Sequence, residues 1–423
     1  MLNNPGPNLP LPLHPAGAQP PLRYHPLPAP GQPTELPALY VHVPFCTVKC
    51  HYCDFFSVAG HLDQAEAYLD ALEKEAQLVL LKYGPQQPHT IFIGGGTPTL
   101  LPPGQLARLL GIIAQLAGTR QLREYTVESN PNTFDRARAD VLAQAGVTRV
   151  SFGAQSFNPD ELHSLQRDHD PASLAPAIAA LLAAGIKHYN IDLIFGIGGQ
   201  TLASWDYSLT RALELQPEHL SCYSLMYEPN TALTARLHAG QVQTCDEELE
   251  ADLLQHARQK LIAAGLHAYE ISNYARPGYE CQHNLAYWRG ADYLALGPAA
   301  AGHWSGHRWK NVPSLNRYIA ALTDPQPICP LVELEHLTPA QRAGELVMLM
   351  LRLRSGLDLA WVRQRLGLDL RADLVPASQR YVADGLLTWT GDILQLTEAA
   401  ILISDTILSD LVTAVEAAVE ARS

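Results

Sequence analysis

The chain of 423 residues carries 42 Asp plus Glu against 29 Lys plus Arg, a net charge of −13, so it repels polyanions and nucleic acid is disfavoured as a partner. Hydrophobic residues make up 47% and charged residues 17%, which excludes general disorder and provides for a large core. No uninterrupted apolar stretch reaches the length of a membrane span, and seven cysteines, an odd number, fit a reducing, cytoplasmic compartment better than a disulfide framework.

Residues 1–37 hold 12 of the 32 prolines and read as a mobile, disordered tail, because each Pro removes a backbone donor. Pro breaks up its apolar residues and no basic run precedes them, so it does not resemble a secretory signal. From residue 38 a unit recurs, with a short β-rich run, a polar or Gly-rich loop, and an Ala/Leu-rich helical stretch. The runs are "ALYVHVP" (38–44), "TIFIGGG" (90–96), "EYTVESNP" (124–131), "RVSFGAQS" (149–156), "HYNIDLIFGI" (188–197) and "LSCYSLMYEP" (220–229). Near-continuous apolar strands alternating with helices predict an α/β fold with a parallel sheet covered on both faces. Six repeats suggest a complete or partial (β/α)6 barrel of the TIM type, with a doubly wound open sheet as the alternative. In a barrel, reactive groups sit in the loops after the strands, and here the distinctive motifs lie in those positions.

The barrel region is expected to span 38–310 and a C-terminal domain 311–423. There "PAQRAGELVMLMLRLRSG", "DLAWVRQRLG" and "ASQRYVADG" read as three helices, followed by two short β runs around "TGD" (390–392). Helix, helix, helix and hairpin is the order of a winged-helix module. No dense basic helix is present, so packing is favoured over nucleic-acid reading.

After the first run stands "CTVKCHYC". A closed zinc site needs a fourth ligand, usually from a second close pair, and none follows. An iron–sulfur cubane is normally held by four thiolates, so Cys46, Cys50 and Cys53 would leave one iron open for an exchangeable ligand. This spacing, with Tyr52 before the last Cys, resembles the signature of the radical S-adenosylmethionine superfamily. The resemblance implies a [4Fe-4S] cluster on the three cysteines, with the amino and carboxylate groups of S-adenosylmethionine on the open iron. It also implies that "GGGTPT" (94–99), with Gly95, Gly96 and Thr97, cradles the methionine end of that cofactor. Glycine lets backbone approach a ligand and expose N–H groups. Tyr40 on the first strand, Glu128 in "VESNP", Gln155 in "SFGAQS", Arg167 in "LQRDHD" and Asp192 in "NIDLIFG" complete the expected cofactor contacts.

From about residue 38 to the C-terminus the run of motifs resembles the oxygen-independent coproporphyrinogen III oxidase family. That family has two main branches, the decarboxylating oxidase of porphyrin synthesis and the HemW-like heme chaperones. The oxidase has a further cysteine two residues after the third, where this chain has Phe55. "HNLAYW" (283–288) matches the chaperone motif, and an exposed His283 flanked by Tyr and Trp could offer its imidazole to heme iron. Cys281 lies two residues away and could modulate or attach heme. The resemblance therefore implies a carrier that passes heme to an acceptor protein, with an electron donor possible, and argues against oxidase activity.

Overall fold

Alternation sets the architecture. In each of the first six runs every second residue is apolar and faces helices, while the residues between are mostly polar or aromatic and face inward. The computed structural model describes residues 24–29 and 37–422. Its principal strands are β1 (Ala38–Val43), β2 (Thr90–Gly95), β3 (Glu124–Ser129), β4 (Arg149–Gln155), β5 (His188–Phe195) and β6 (His219–Ser224). Neighbours pair in parallel and in sequential order. This order, without a reversal, is that of a barrel wall and excludes the doubly wound alternative.

The wall stays open. Among the described residues β6 is flanked by the antiparallel strand Asn273–Ala275, and β1 by a seventh parallel strand, Tyr293–Leu296. Beyond Tyr293–Leu296, the antiparallel strands Ala301–Trp304, His307–Asn311 and Leu331–His336, with His267–Ala268 outside Asn273–Ala275 at the other edge, complete a twelve-stranded mixed sheet. The expectation of near-continuous apolar strands is corrected here. Leu39, Val41, Ile91, Ile93, Val127, Val150, Phe152 and Ile191 are 0–1% exposed beneath the helices, but every second residue lines a polar lumen.

The outer layer follows from helical spacing. In Ala65–Tyr83 the buried residues Ala65, Tyr68, Leu69, Leu72, Ala76 and Val79 recur at three and four residues and cover one face. Glu75 is also buried on this helix, where it accepts hydrogen bonds from Asn311, Tyr318 and the Gly297 amide. This contact ties the helix to the edge of the sheet, and burial raises the Glu75 carboxyl to about 7.

Two expected boundaries are corrected. Residues 311–336 supply a strand and a helix to the first core, and a second core begins at Ala340. Of the Pro-rich tail, the described part is docked. His25 bridges to Leu331, Tyr83 donates to the Pro28 carbonyl at 3.0 Å, and Tyr24 and Leu27 pack on the core. The rest of that tail lies outside the described residues.

The C-terminal domain carries helices Pro339–Met350, Leu359–Leu366 and Arg371–Ala383, with strands Leu357–Asp358, Leu387–Thr390 and Ile393–Leu396 in one three-stranded sheet. That is the expected winged-helix order, with a fourth helix, Ser404–Glu420, packed on Pro339–Met350.

Candidate functional site

The C-terminal ends of the strands converge on the cysteine loop. Cys46, Cys50 and Cys53 are free, half-buried thiols on one short segment. Three elements hold it. Val43 and Phe45 carbonyls accept from the Gly96 and Thr97 amides at 2.7 Å. The Leu233 amide donates to His51 O at 2.8 Å. Tyr52 packs among Leu165, Ile194, Ile197, Leu225 and Leu233. Cys46 Sγ lies 3.9 Å from Thr97 Oγ1, and Arg167 Nη1 donates to Cys50 Sγ at 3.7 Å. Burial pushes the Cys46 and Cys53 thiols up, as it does the Tyr52 phenol, beside which Arg167 acts in the opposite sense.

This donor set fits a cluster. Three thiols stand together, the remaining cysteines belong to other elements, and the buried Arg167 guanidinium keeps Nε without a partner while facing the thiols. A cation there suits an anionic thiolate-ligated centre. Among the described residues no three ligating side chains gather as closely as a single ion requires. Cys46, Cys50 and Cys53 would hold the cluster, which when bound supplies one-electron chemistry.

The Gly-rich turn is built differently from expectation. Its amides are spent inside the protein, because Gly95 N–H donates to Glu128 Oε2 at 2.9 Å and those of Gly96 and Thr97 go to β1 and the cysteine loop. The glycines serve close packing instead. A Cβ on Gly94 would stand 2.5 Å from Glu128 Oε2. One on Gly95, at φ +100°, would stand 2.3 Å from the His42 ring, and one on Gly96 would stand 2.6 Å from Phe45 O. A side chain at Gly96 would displace the Val43–Phe45 backbone that leads into the cysteine loop.

Around the mouth the lumen is acidic. Glu128 is raised to about 7 by burial and by facing Asp192, against the Gly95 hydrogen bond. Asp192, raised mainly by burial, accepts from Ser151 Oγ at 3.0 Å and Asn190 Nδ2 at 2.7 Å. Gln155 sits at φ 63° where β4 bulges against β5, which turns its amide toward Gly153 and Arg167. Tyr40 stacks on Phe92, its register partner on the neighbouring strand. The structure thus brings Tyr40, Tyr52, Gly95, Gly96, Thr97, Glu128, Gln155, Arg167 and Asp192 to one end of the barrel. Two buried carboxylates facing each other, both raised by burial, suit a cationic ligand.

Because the folded-state pKa of Glu128 is raised, its contribution to stability is present below the unfolded value, near 4.5, and is lost as pH rises through about 7. Glu128→Gln is expected to remove roughly 1–3 kcal/mol of that decline. Urea denaturation of both proteins between pH 5 and pH 8, without added cofactor, measures it; parallel stability curves would refute the assignment.

His283 lies at the opposite end. Residues 269–292 form a floor that meets the first residue of every barrel strand. Asp292 O accepts from Ala38 N, Thr90 Oγ1 bonds His283 Nδ1 at 2.9 Å, and Tyr279 O accepts from Arg149. The Tyr279 ring also meets His188, and Tyr269 bonds His219. Glu124 completes the set by accepting from Cys281 Sγ at 3.2 Å and from the Gln282 and His283 amides at 3.0 and 3.1 Å, which caps the helix Gln282–Trp288. The expectation of an exposed histidine is corrected. His283 is 1% exposed, its Nε2 bonds Tyr287 OH at 2.9 Å, and burial lowers it to about 3. The C-terminal domain holds the other end of this helix through Trp361 Nε1 to Arg289 O at 3.3 Å and Arg365 to Gly290 O.

Sequence reading missed His42, the polar lumen and the floor. His42 Nε2 donates to Phe56 O at 2.7 Å and fixes the chain just after the cysteines. The signal for the floor was present, since five consecutive strands open on Thr90, Glu124, Arg149, His188 and His219.

Two family profiles match, "Radical SAM superfamily" over residues 40–211 and "HemN C-terminal domain" over 337–403. The protein named heme chaperone HemW from Bacillus subtilis is 35% identical over 332 residues, 78% of this chain and 87% of the relative. The chain belongs to the HemW family. A HemW from Mycobacterium tuberculosis is 37% identical over 389 residues, 91% of this chain and 96% of that protein. Among solved structures, coproporphyrinogen III oxidase (HemN) from Escherichia coli, a radical SAM enzyme, matches with TM-score 0.76 and 24% identity over 90% of both chains, which shows a shared fold. No described helix is long and apolar enough to cross a membrane.

Proposed function

We propose that this chain is a heme chaperone of the cytoplasm. It holds a [4Fe-4S] cluster on Cys46, Cys50 and Cys53 with S-adenosylmethionine as the fourth ligand, binds heme, and delivers it to an acceptor protein. The observation that carries this reading over the oxidase is the pairing of Phe55, in place of a fourth cysteine and 67% exposed beside the loop, with a complete "HNLAYW" motif. The names of the relatives support the same choice. Free cysteines throughout fit a reducing compartment.

The residues divide the work. Arg167 sets positive charge beside the thiols, Glu128 and Asp192 set negative charge where a sulfonium and ammonium would lie, and Gln155 offers an amide to hydroxyls. Tyr52 and the surrounding apolar cluster keep water from one side of the loop. His283 is the heme ligand in this reading. To serve, it exchanges its bond to Tyr287 or Thr90 for one to iron, so heme entry requires the floor helix to shift.

Titrating the protein with hemin is expected to give a saturable Soret change, with affinity falling roughly tenfold or more in His283→Ala. No specific uptake would remove the chaperone reading. Anaerobic conversion of coproporphyrinogen III with S-adenosylmethionine would install the oxidase in its place.

A further inference from the structure

A continuous file of aromatic rings runs through the lumen from the cysteine loop to the floor. It starts at Phe56, three residues after Cys53, whose ring centroid is 6.2 Å from that of His42. Tyr40 follows at 6.0 Å, and Phe92 at 6.3 Å and 28°. From Phe92 it continues to His283 at 5.1 Å and 30°, to Tyr287 at 4.7 Å, to Tyr293 at 4.6 Å and to His303 at 6.2 Å. Each step is within the range of ring-to-ring contact. Three separate stretches of sequence supply the central rings, β1, β2 and the helix Gln282–Trp288. The file therefore results from the closed floor and not from local periodicity.

Hydrogen bonds equip it for redox work. Phe56 O can only accept, so His42 Nε2 carries a proton and Nδ1 is bare. Nδ1 therefore accepts from Tyr40 OH at 3.0 Å. If Tyr40 loses an electron, its phenolic proton has a place to go. At the far end Tyr287 OH lies 2.9 Å from His283 Nε2 and forms a second tyrosine–imidazole pair.

We propose that this file is an electron route joining the cysteine loop to the "HNLAYW" floor. In the chaperone reading, on which its purpose rests, Cys46, Cys50 and Cys53 would hold a reduced cluster able to supply one electron and the floor would hold the ferric heme able to accept it, with the rings joined while the helix Gln282–Trp288 is seated on Phe92. No bond forms or breaks, and the protein supplies ring-to-ring contacts, stacked at Phe92 and edge-on at Tyr40–His42 and His283–Tyr287, along a path that saturated side chains would make slow. Phe92 is the central ring, in contact with both Tyr40 and His283.

The test needs neither cluster nor heme. The full chain is labelled on Cys53 with a ruthenium–bipyridine complex, with serine at Cys46, Cys50 and Cys245, and flashed with an external electron acceptor. The oxidised metal takes one electron from Tyr40 as its proton passes to His42, and the vacancy then moves along the rings. Electron paramagnetic resonance is expected to show tyrosyl radical at Tyr40 and at Tyr287 or Tyr293, assigned by Tyr→Phe variants. Phe92→Leu should lower the far radical roughly tenfold or more while sparing the near one, and Phe92→Trp should restore it. A far radical of equal yield in Phe92→Leu, or none beyond Tyr40 in the unsubstituted and Phe92→Trp proteins, would overturn the route. A failed hemin titration would leave this result standing, so the two readings fail separately.

Discussion

Serine at any one of Cys46, Cys50 or Cys53 is expected to leave the anaerobically reconstituted protein without its iron–sulfur absorbance and paramagnetic signal. Three thiolates with one open iron are the minimum the loop can offer, and the described cysteines outside it are fixed in other elements. With two thiolates left, no side chain on the loop replaces the third. Fold stability should change little, within about 0.5 kcal/mol, because the thiols are half-buried and their hydrogen bonds to Thr97 and Arg167 are long. The measurement is iron and sulfide per chain alongside a melting curve. Full cluster content in a single-serine variant would mean that the centre is held elsewhere.

Glu124→Ala should loosen the floor by roughly 3 kcal/mol, since its carboxylate accepts from the Cys281 thiol and from the first two amides of the helix Gln282–Trp288. Removing it leaves those donors buried and unpaired, and Arg149, 6% exposed nearby, loses a neighbouring charge. Burial and the Glu124 charge both hold the Cys281 thiol protonated and inert. The variant is therefore expected to show faster amide exchange across 282–288, rapid alkylation of Cys281 and faster heme uptake. Unchanged exchange in that segment would show that the C-terminal domain, through Trp361 and Arg365, holds the helix alone.

Much of the mouth was legible because each motif there follows a strand, and strands and helices alternate clearly in the sequence. The cysteine spacing, "GGGTP", "VESNP" and "NIDLIFG" could be placed together from order alone. The floor was not legible, because its contacts join residues far apart in the chain, 157 positions for Glu124 with Cys281 and 193 for Thr90 with His283. The packing role of the Gly-rich turn was not legible either. Its glycines answer to His42, Glu128 and Phe45, neighbours that only the folded chain supplies. Likewise Leu331–His336 falls in the stretch expected to belong to the C-terminal domain, yet it joins the main sheet by pairing with His307–Asn311, a partner found only across the intervening helix.

The open wall gives the floor a mechanical role. The polypeptide leaves one rim of the sheet at β6, passes beneath the lumen through residues 269–292, and rejoins the other rim as Tyr293–Leu296 beside β1. A strap anchored at both rims in this way must slacken or tauten whenever the gap between them changes width. A molecule that spreads or draws in the barrel at its mouth would thus be felt at His283 without touching it.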